Sequence, residues 1–124
     1  MLKFARNMSQ LPFSQLKKVY EQSIQEAADR EYGAEELGIL RAEMELYDYL
    51  RNTFFKTDGA YICMWEEAGR IVSVLRLEPF RDGLLVTGLE TAPECRGKGY
   101  ATHLLRSSMA QLGNDIPVYA HVHR

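Results

Sequence analysis

The strongest chemical signal in the sequence is the segment TAPECRGKGYA at residues 91–101. It follows a run of strand-forming residues and precedes an amphipathic helix, so it contains a helix start, where unpaired N–H groups and about half a positive charge favour an anion. Gly97 and Gly99 have no Cβ atom to keep a phosphate away from the backbone. Arg96 and Lys98 add positive charge at the same point. The segment predicts a phosphate site; the alternative is a tight strand-to-helix turn with solvated cations.

Two common phosphate-binding motifs do not fit this segment. A P-loop requires four residues between its first glycine and a Gly-Lys-Ser/Thr, and the chain has no such arrangement. A dinucleotide fingerprint requires a third glycine where this chain has Thr102, and it belongs to a βαβ unit. The strands before residue 91 look antiparallel, so the sequence supports neither motif.

The composition predicts one globular domain over residues 1–124. The chain is 46% hydrophobic and 26% charged, as in ordinary globular proteins, and has no apolar run near the roughly 18 residues of a membrane span. Its first ten residues carry charges where a signal peptide needs an apolar stretch. We therefore expect a cytoplasmic protein without a membrane partner.

Charge and cysteine content exclude two further classes of function. The net charge is −2, so the chain has no basic surplus for a nucleic acid partner. Cys63 and Cys95 cannot form a disulfide framework or a four-thiolate metal site, and we expect two reduced thiols. Because Cys95 lies beside two cations and a helix start, a reactive thiol is the alternative at that position.

Apolar residues at intervals of three and four predict three helices. The first extends from about Pro12 to Glu31, and the second carries a series from Leu37 to Phe54 that ends before a Thr-Asp-Gly turn. The third carries a series from Ala101 to Leu112. Acidic residues on the second helix indicate either a cation-seeking surface or, as we favour because arginines lie among them, a solvated face: Glu35, Glu36, Glu43, Glu45 and Asp48.

Short runs rich in β-branched and aromatic residues predict the strands. Tyr61 to Trp65, Ile71 to Leu77 and Leu84 to Leu89 are joined by short glycine-containing connections, which favours an antiparallel meander. Residues 1–5 give a weak strand signal, and Pro117 to Val122 resembles a last strand. The predicted fold class is α/β, with a mixed, mainly antiparallel sheet flanked by helices.

The sequence resembles the GNAT acetyltransferase superfamily at residues 96–101. RGKGYA meets the family pattern Arg/Gln-x-x-Gly-x-Gly/Ala, and residues 89–95 look like the family's fourth strand and the loop after it. The predicted order of strands and helices is also the family's order over essentially the whole chain. The resemblance implies a GNAT-like fold and transfer of an acetyl group from acetyl-coenzyme A to a primary amine of a small molecule or peptide.

The resemblance also implies a binding site without a metal. Pyrophosphate would contact the N–H groups of residues 97–101, the pantetheine arm would pair with residues 89–91, and a backbone N–H of that strand would hold the acyl carbonyl. The implied coenzyme-binding residues are Leu89, Thr91, Arg96, Gly97, Lys98, Gly99, Tyr100 and Ala101. A non-catalytic coenzyme A-binding or interaction module is the alternative.

Direct attack by an amine needs a group or a water chain that takes a proton. Glu90, at the end of the third meander strand, is one candidate base, with an exposed strand-end carboxylate as the alternative. His121 is the other; it shares a face of the last strand with His123, although a polar strand face is the simpler interpretation. Two histidines without a third ligand are poor evidence for a metal.

The end of the sequence departs from the family pattern. In the superfamily the last predicted strand is followed by a helix, which commonly carries the tyrosine that protonates the thiolate, and usually by two more strands; this sequence stops at Arg124. We expect a C-terminally shortened domain: a fragment, a protein completed by a partner, or one with incomplete catalysis. An exposed strand edge would also favour a homo-oligomer through the last strand.

Overall fold

A five-stranded sheet forms the centre of the computed structural model, which describes residues 1–33, 35–112 and 115–120. Its strands follow chain order across the sheet and are β1 (Leu2–Ala5), β2 (Tyr61–Glu67), β3 (Arg70–Phe80), β4 (Gly83–Thr91) and β5 (Val118–Ala120). Strands β1 to β4 pair antiparallel, and β5 pairs parallel with β4. The mixed, mainly antiparallel sheet predicted from the sequence is confirmed.

Helices cover both faces of this sheet. They are α1 (Phe13–Val19), α2 (Glu21–Glu31), α3 (Glu36–Tyr49) and α4 (Tyr100–Leu112), with a π-helical turn at Leu50–Phe54 and short 3₁₀ turns at Met8–Gln10 and Pro93–Cys95. Residues of α1, α2 and α3 form one core with Ile62, Met64 and Val74, whereas Leu104 of α4 packs on the opposite face with Leu75. Alternation along β2 and β3 produces both cores. No helix within the described ranges is long and apolar enough to cross a membrane.

The first predicted helix is interrupted. Tyr20, with φ −90° and ψ 11°, separates α1 from α2, although its carbonyl still accepts a hydrogen bond from the Ile24 N–H at 2.8 Å. The local sequence has no glycine or proline that marks the break. The interruption coincides with burial of the Tyr20 ring, which is 3% exposed and lies over the Arg76 guanidinium. Tertiary packing, which periodicity does not report, therefore divides this helix.

The second predicted helix exists, but the first three large residues of its predicted apolar series face solvent, whereas Leu50 and Phe54 at the end of that series are buried. Exposed fractions are 75% for Leu37, 50% for Leu40 and 58% for Met44. The buried positions within α3 are instead Gly38 and Ala42. Gly38 lies against the Gly33 carbonyl, where a Cβ would overlap the oxygen, and Ile39, Leu46 and Tyr49 pack partly buried against the core.

A β-bulge in β4 positions the site described below. Leu77 pairs with Val86 and Arg76 pairs with Gly88, so Thr87 is an extra residue on β4. A Cβ at Gly88 would lie 2.6 Å from the Arg76 Nε, so a side chain there would displace the Arg76 guanidinium. Within the described residues, β5 pairs with β4 only at positions 84–86, so the outer edge of β4 after the bulge has no strand partner there.

Candidate functional site

A cleft of about 500 Å³ opens where β4 ends and α4 begins, and we call it the β4–α4 cleft. Its walls come from α2, the end of β4 and the start of α4: Gln22, Ser23, Glu26, Leu89, Glu90, Thr91, Cys95, Arg96, Gly97, Gly99, Tyr100 and Ala101. Of the predicted coenzyme-binding residues, seven line this cleft. Lys98 is exposed within the same turn but is not among the lining residues.

The turn before α4 owes its shape to two glycines. Gly97 and Gly99 have φ values of +78° and +82°, a left-handed region that side chains with a Cβ rarely adopt. The first intrahelical bond runs from the His103 N–H to the Gly99 carbonyl at 3.0 Å, and the N–H groups before it point out of the helix end. A Cβ built at either glycine has no atom within 4 Å. The space beside these N–H groups is therefore open to a ligand.

Arg96 gives this turn a fixed cation. Its Nε donates to the Thr91 carbonyl at 3.4 Å, which ties the guanidinium to the end of β4 while leaving the side chain exposed. Lys98 adds a second exposed cation two residues later. Both charges reinforce the positive end of α4, so the arrangement favours an anionic ligand.

Glu90 lines the β4–α4 cleft and is half-buried. The Ser23 hydroxyl of α2 donates to its Oε1 at 2.6 Å, and the Ser73 hydroxyl donates to its backbone carbonyl at 3.0 Å. Ser73 also lies 3.1 Å from the Thr91 Oγ1. These contacts hold the end of β4 against both β3 and α2. The carboxylate is thus oriented in the same cleft as the glycine turn.

A buried aromatic cluster lies beside Glu90. The Arg76 guanidinium is 5.9 Å from the Tyr20 ring centroid and 5.6 Å from that of Tyr49, and its Nη2 donates to the Thr87 carbonyl at 3.2 Å. The Tyr20 hydroxyl is buried without a hydrogen-bond partner among the described residues. Burial, reinforced by the Glu90 charge and opposed by Arg76, raises the pKa of Tyr20 to about 12. Tyr20 is therefore a neutral phenol at physiological pH.

Cys95 belongs to the cleft wall but is 2% exposed. Its Sγ accepts a hydrogen bond from the Arg70 Nη2 at 3.3 Å, and the other arm of that guanidinium lies 3.5 Å from Glu94. Arg70 thus links the thiol to the 3₁₀ turn between β4 and α4. This packing is the arrangement expected of a structural cysteine.

The sequence did not indicate the contribution of α2. Ser23 lies 67 residues before Glu90, and no local motif marks Gln22, Ser23 or Glu26 as cleft residues. The only feature of the sequence that could have indicated a cleft wall was that these residues are polar and lie on the side of α2 away from the core. The other predicted base, His121, lies outside the described residues together with His123.

A sequence profile described as the Acetyltransferase (GNAT) family matches residues 17–123. The chain belongs to this family. The match includes the glycine turn, Glu90 and the α2 wall of the β4–α4 cleft. A comparison with curated protein sequences gives no match.

Solved structures with the same fold include other GNAT acetyltransferases. A GNAT family acetyltransferase from Staphylococcus aureus is 17% identical, with a TM-score of 0.65 over 100% of this chain and 87% of that one. The PaiA N-acetyltransferase of Thermoplasma acidophilum, solved in complex with coenzyme A, is 16% identical, with a TM-score of 0.64 over 100% and 80% of the two chains. A Brucella melitensis GNAT acetyltransferase in complex with acetyl-CoA is 17% identical, with a TM-score of 0.56 over 100% and 77%. At these identities the likeness shows the shared fold.

Proposed function

We propose that this GNAT family member is an N-acetyltransferase that moves an acetyl group from acetyl-coenzyme A to a primary amine. The observation that carries the proposal is the β4–α4 cleft, where the open N–H groups around Gly97 and Gly99 lie in one cavity with Glu90. The fold neighbours solved with coenzyme A and acetyl-CoA support the choice of donor.

The donor would lie along two elements of the cleft. The pyrophosphate fits the N–H groups of residues 97–101 at the positive end of α4, with Arg96 and Lys98 adding charge. The pantetheine arm would follow the outer edge of β4 at residues 89–91, beyond the last β5 pair in the described part. This route leads the thioester from the glycine turn towards Glu90.

The reaction forms a C–N bond between the amine and the acetyl carbon and breaks the C–S bond of the thioester. One proton leaves the nitrogen and one reaches the sulfur, so the products are an amide and free coenzyme A. We assign the first proton to the Glu90 carboxylate, which the Ser23 hydroxyl orients. A backbone N–H of β4 would stabilise the charge that develops on the carbonyl oxygen. His121, the other candidate base predicted from the sequence, stays a prediction because it lies outside the described residues.

Calorimetry with acetyl-coenzyme A and an assay of thiol release test this proposal on two glycine variants. Gly99→Val places a branched side chain in the open space of the turn, and we expect a loss of binding of at least about tenfold. Gly69→Val is the matched control, because Gly69 has a φ of +80° and no atom within 4 Å of a built Cβ, yet lies in the β2–β3 turn and does not line the cleft.

Both substitutions introduce similar backbone strain, so both should lower the free energy of unfolding by about 1–2 kcal/mol. Only Gly99→Val should weaken binding. Unchanged affinity in folded Gly99→Val would contradict the proposed donor site. If the protein binds acetyl-coenzyme A but none of the amines tested causes release of thiol, the protein is a non-catalytic coenzyme A-binding module instead.

A further inference from the structure

The outer face of α3 carries a stripe of large apolar side chains. The four residues of this stripe are spaced by three or four positions, so they lie on one side of the helix. They are Leu37, Leu40, Met44 and Tyr47, and each is exposed. Single exposed apolar residues are common on soluble proteins, whereas a contiguous stripe indicates a surface that another molecule covers.

A groove of about 410 Å³ lies beside the stripe, between α1 and α3. Its apolar wall consists of Phe13 of α1 together with Leu40, Met44 and Tyr47. The Phe13 and Tyr47 rings pack edge to face, with their centroids 5.1 Å apart, so this wall has a fixed shape. We call the stripe and the groove together the α3 surface. It offers both side chains that protrude and a depression that receives side chains of the same kind.

The charges around the α3 surface balance each other. Residues 21–49, which include α2 and α3, contain nine acidic and two basic residues and carry a formal charge of −7. Among the described residues that flank the stripe, however, three are acidic and three are basic: Glu36, Glu43, Asp48, Lys17, Arg41 and Arg51. The Lys17 Nζ lies 3.2 Å from the Glu43 Oε2, which neutralises one pair within the chain. The surface therefore favours neither a strongly acidic nor a strongly basic partner.

The order of residues along α3 makes this surface complementary to itself. In a two-fold dimer of antiparallel helices, residues that lie equally far before and after the axis face each other. With Met44 on the axis, Leu40 lies four residues before it and Tyr47 lies three residues after it. The apolar residues of the two copies therefore alternate along the contact, and each copy places its Leu40 beside Tyr47 of the second copy.

The charged residues follow the same register. Arg41 lies three residues before Met44, and Asp48 lies four residues after it. Glu36 and Arg51 lie eight residues before and seven residues after the same position. Each of these acidic residues thus faces a basic residue of the second copy, and the two-fold axis forms every such pair twice.

Arg41 and Asp48 are not placed to pair within one chain. They are seven residues apart on α3, about twice the spacing at which helical side chains form ion pairs. The Arg41 guanidinium lies over the Tyr32 ring, 4.7 Å from its centroid, and both Arg41 and Asp48 are exposed. Both charges are therefore available to a second copy.

We propose that the α3 surface binds a second copy of this chain, with the two α3 helices antiparallel about a two-fold axis at Met44. Packing with nearly aligned axes lets the two stripes touch along their length, and each copy inserts stripe residues into the groove of the other. None of the described residues that line the β4–α4 cleft belongs to the α3 surface. The dimer therefore does not depend on the proposed function.

Sedimentation equilibrium of the full chain measures the dimer directly. A single helix pair is a small interface compared with the roughly 800 Å² per partner of standard complexes, so we expect a Kd on the order of 10–100 µM. The ion pairs between the copies are exposed. Raising the NaCl concentration from about 50 to about 500 mM should therefore increase the Kd several-fold.

A charge at position 44 tests the location of the axis. Met44→Glu brings two carboxylates together in the dimer and should increase the Kd at least about tenfold. Val118→Glu is the matched control, because Val118 is 40% exposed but belongs to β5. It adds the same charge and should leave the Kd unchanged. A Kd that increases only in Val118→Glu would move the association to the last strand and overturn the proposal.

Exchange of two charges tests the antiparallel register. Arg41→Asp and Asp48→Arg each place like charges opposite each other twice in the dimer, and each should increase the Kd by about tenfold. The double variant restores both pairs with the charges exchanged and should return the Kd to within about twofold of the wild type. Because the two residues are not placed to pair within one chain, this recovery has to arise between copies.

Other outcomes would also overturn the proposal. A chain that stays monomeric up to about 1 mM has no such dimer. A dimer whose Kd is the same in Met44→Glu associates through another face, and a double variant that dimerises as weakly as the single variants has a different register. Binding of the monomer to lipid vesicles that Met44→Glu abolishes would assign the α3 surface to a membrane instead of a second copy.

Discussion

The contact between Ser23 and Glu90 orients the Glu90 carboxylate in the β4–α4 cleft. The hydroxyl donates to the Glu90 Oε1 at 2.6 Å, a short hydrogen bond. Because the bond joins α2 to β4, it fixes the carboxylate relative to both proposed substrates. Ser23 is a positioning residue in this arrangement, and Glu90 is the group that would receive the proton.

Substitutions at these two residues should therefore not be additive. Glu90→Gln removes the proposed base and should lower kcat by about 100-fold, whereas Ser23→Ala removes only its orientation and should lower kcat several-fold. The double variant should be no slower than Glu90→Gln alone. Steady-state rates across pH, with the coenzyme A affinity measured separately, provide the test. Ser14→Ala, an exposed serine of α1, is the control.

Two outcomes would contradict these roles. A pH profile for Glu90→Gln identical to that of the wild type would move the base to His121 or to a chain of waters. Fully additive losses in the double variant would show that Ser23 acts independently of Glu90.

The sequence revealed only one side of this site. The spacing of Gly97, Gly99 and Arg96 predicted a phosphate site at the glycine turn before α4, because glycine conformation and helix-end charge are local properties. The bond between Ser23 and Glu90 depends on chain segments 67 residues apart that meet only in the folded sheet. No local pattern contains that information.

The attachment of β5 to the sheet depends on a glycine. The Leu84 N–H donates to the Pro117 carbonyl at 2.9 Å at the start of the parallel pair, and a Cβ at Gly83 would overlap that same carbonyl oxygen. The Tyr119 hydroxyl donates to Asp82 at 2.6 Å and adds a second tie nearby. Backbone approach this close is possible only without a side chain at position 83.

Gly83→Ala should loosen β5 without disturbing the rest of the sheet. We expect a loss of about 1–3 kcal/mol in the free energy of unfolding, the usual cost of overpacking. Amide hydrogen exchange should accelerate at Leu84, whereas amides in the β2–β3 pair serve as the internal control and should keep their protection. Unchanged protection at Leu84 would show that β5 adjusts to the added methyl group.

Periodicity predicted the elements well but not their packing. The antiparallel meander and the three amphipathic segments followed from local patterns, and the structure has them. The break at Tyr20 and the outward orientation of Leu37, Leu40 and Met44 did not follow. A repeat of 3.6 residues identifies a helix and its faces, but contacts with other elements decide which face is buried.

The stability of the protein should fall at alkaline pH through Tyr20, in addition to Tyr61 and Cys63, whose pKa values burial raises to about 12 and about 11. Burial raises its pKa from 10.0 to about 12, so the folded protein favours the neutral phenol. The stabilisation is complete below pH 10 and is lost as the pH rises to about 12, by roughly 2–3 kcal/mol. In Tyr20→Phe the free energy of unfolding should fall less between pH 10 and 12 than in the wild type. At pH 7 it should equal that of the wild type, since the Tyr20 hydroxyl lacks a hydrogen-bond partner among the described residues.

Urea unfolding between pH 8 and 11.5 measures this effect. Tyr47→Phe is the control, because Tyr47 is 36% exposed whereas Tyr20 is 3% exposed. The free energy of unfolding of Tyr47→Phe should fall with pH as that of the wild type does. An equal decline in Tyr20→Phe would show that other groups account for alkaline unfolding.

The acidic residues of α2 and α3 would also affect the release of product in the proposed reaction. The proposed reaction would convert an ammonium into a neutral amide, so the product would carry one positive charge fewer than the acceptor. Residues 21–49, with their formal charge of −7, therefore hold the product less strongly than the substrate. The negative charge of these residues would attract the substrate more strongly than the product. Product inhibition should therefore be weak at low ionic strength.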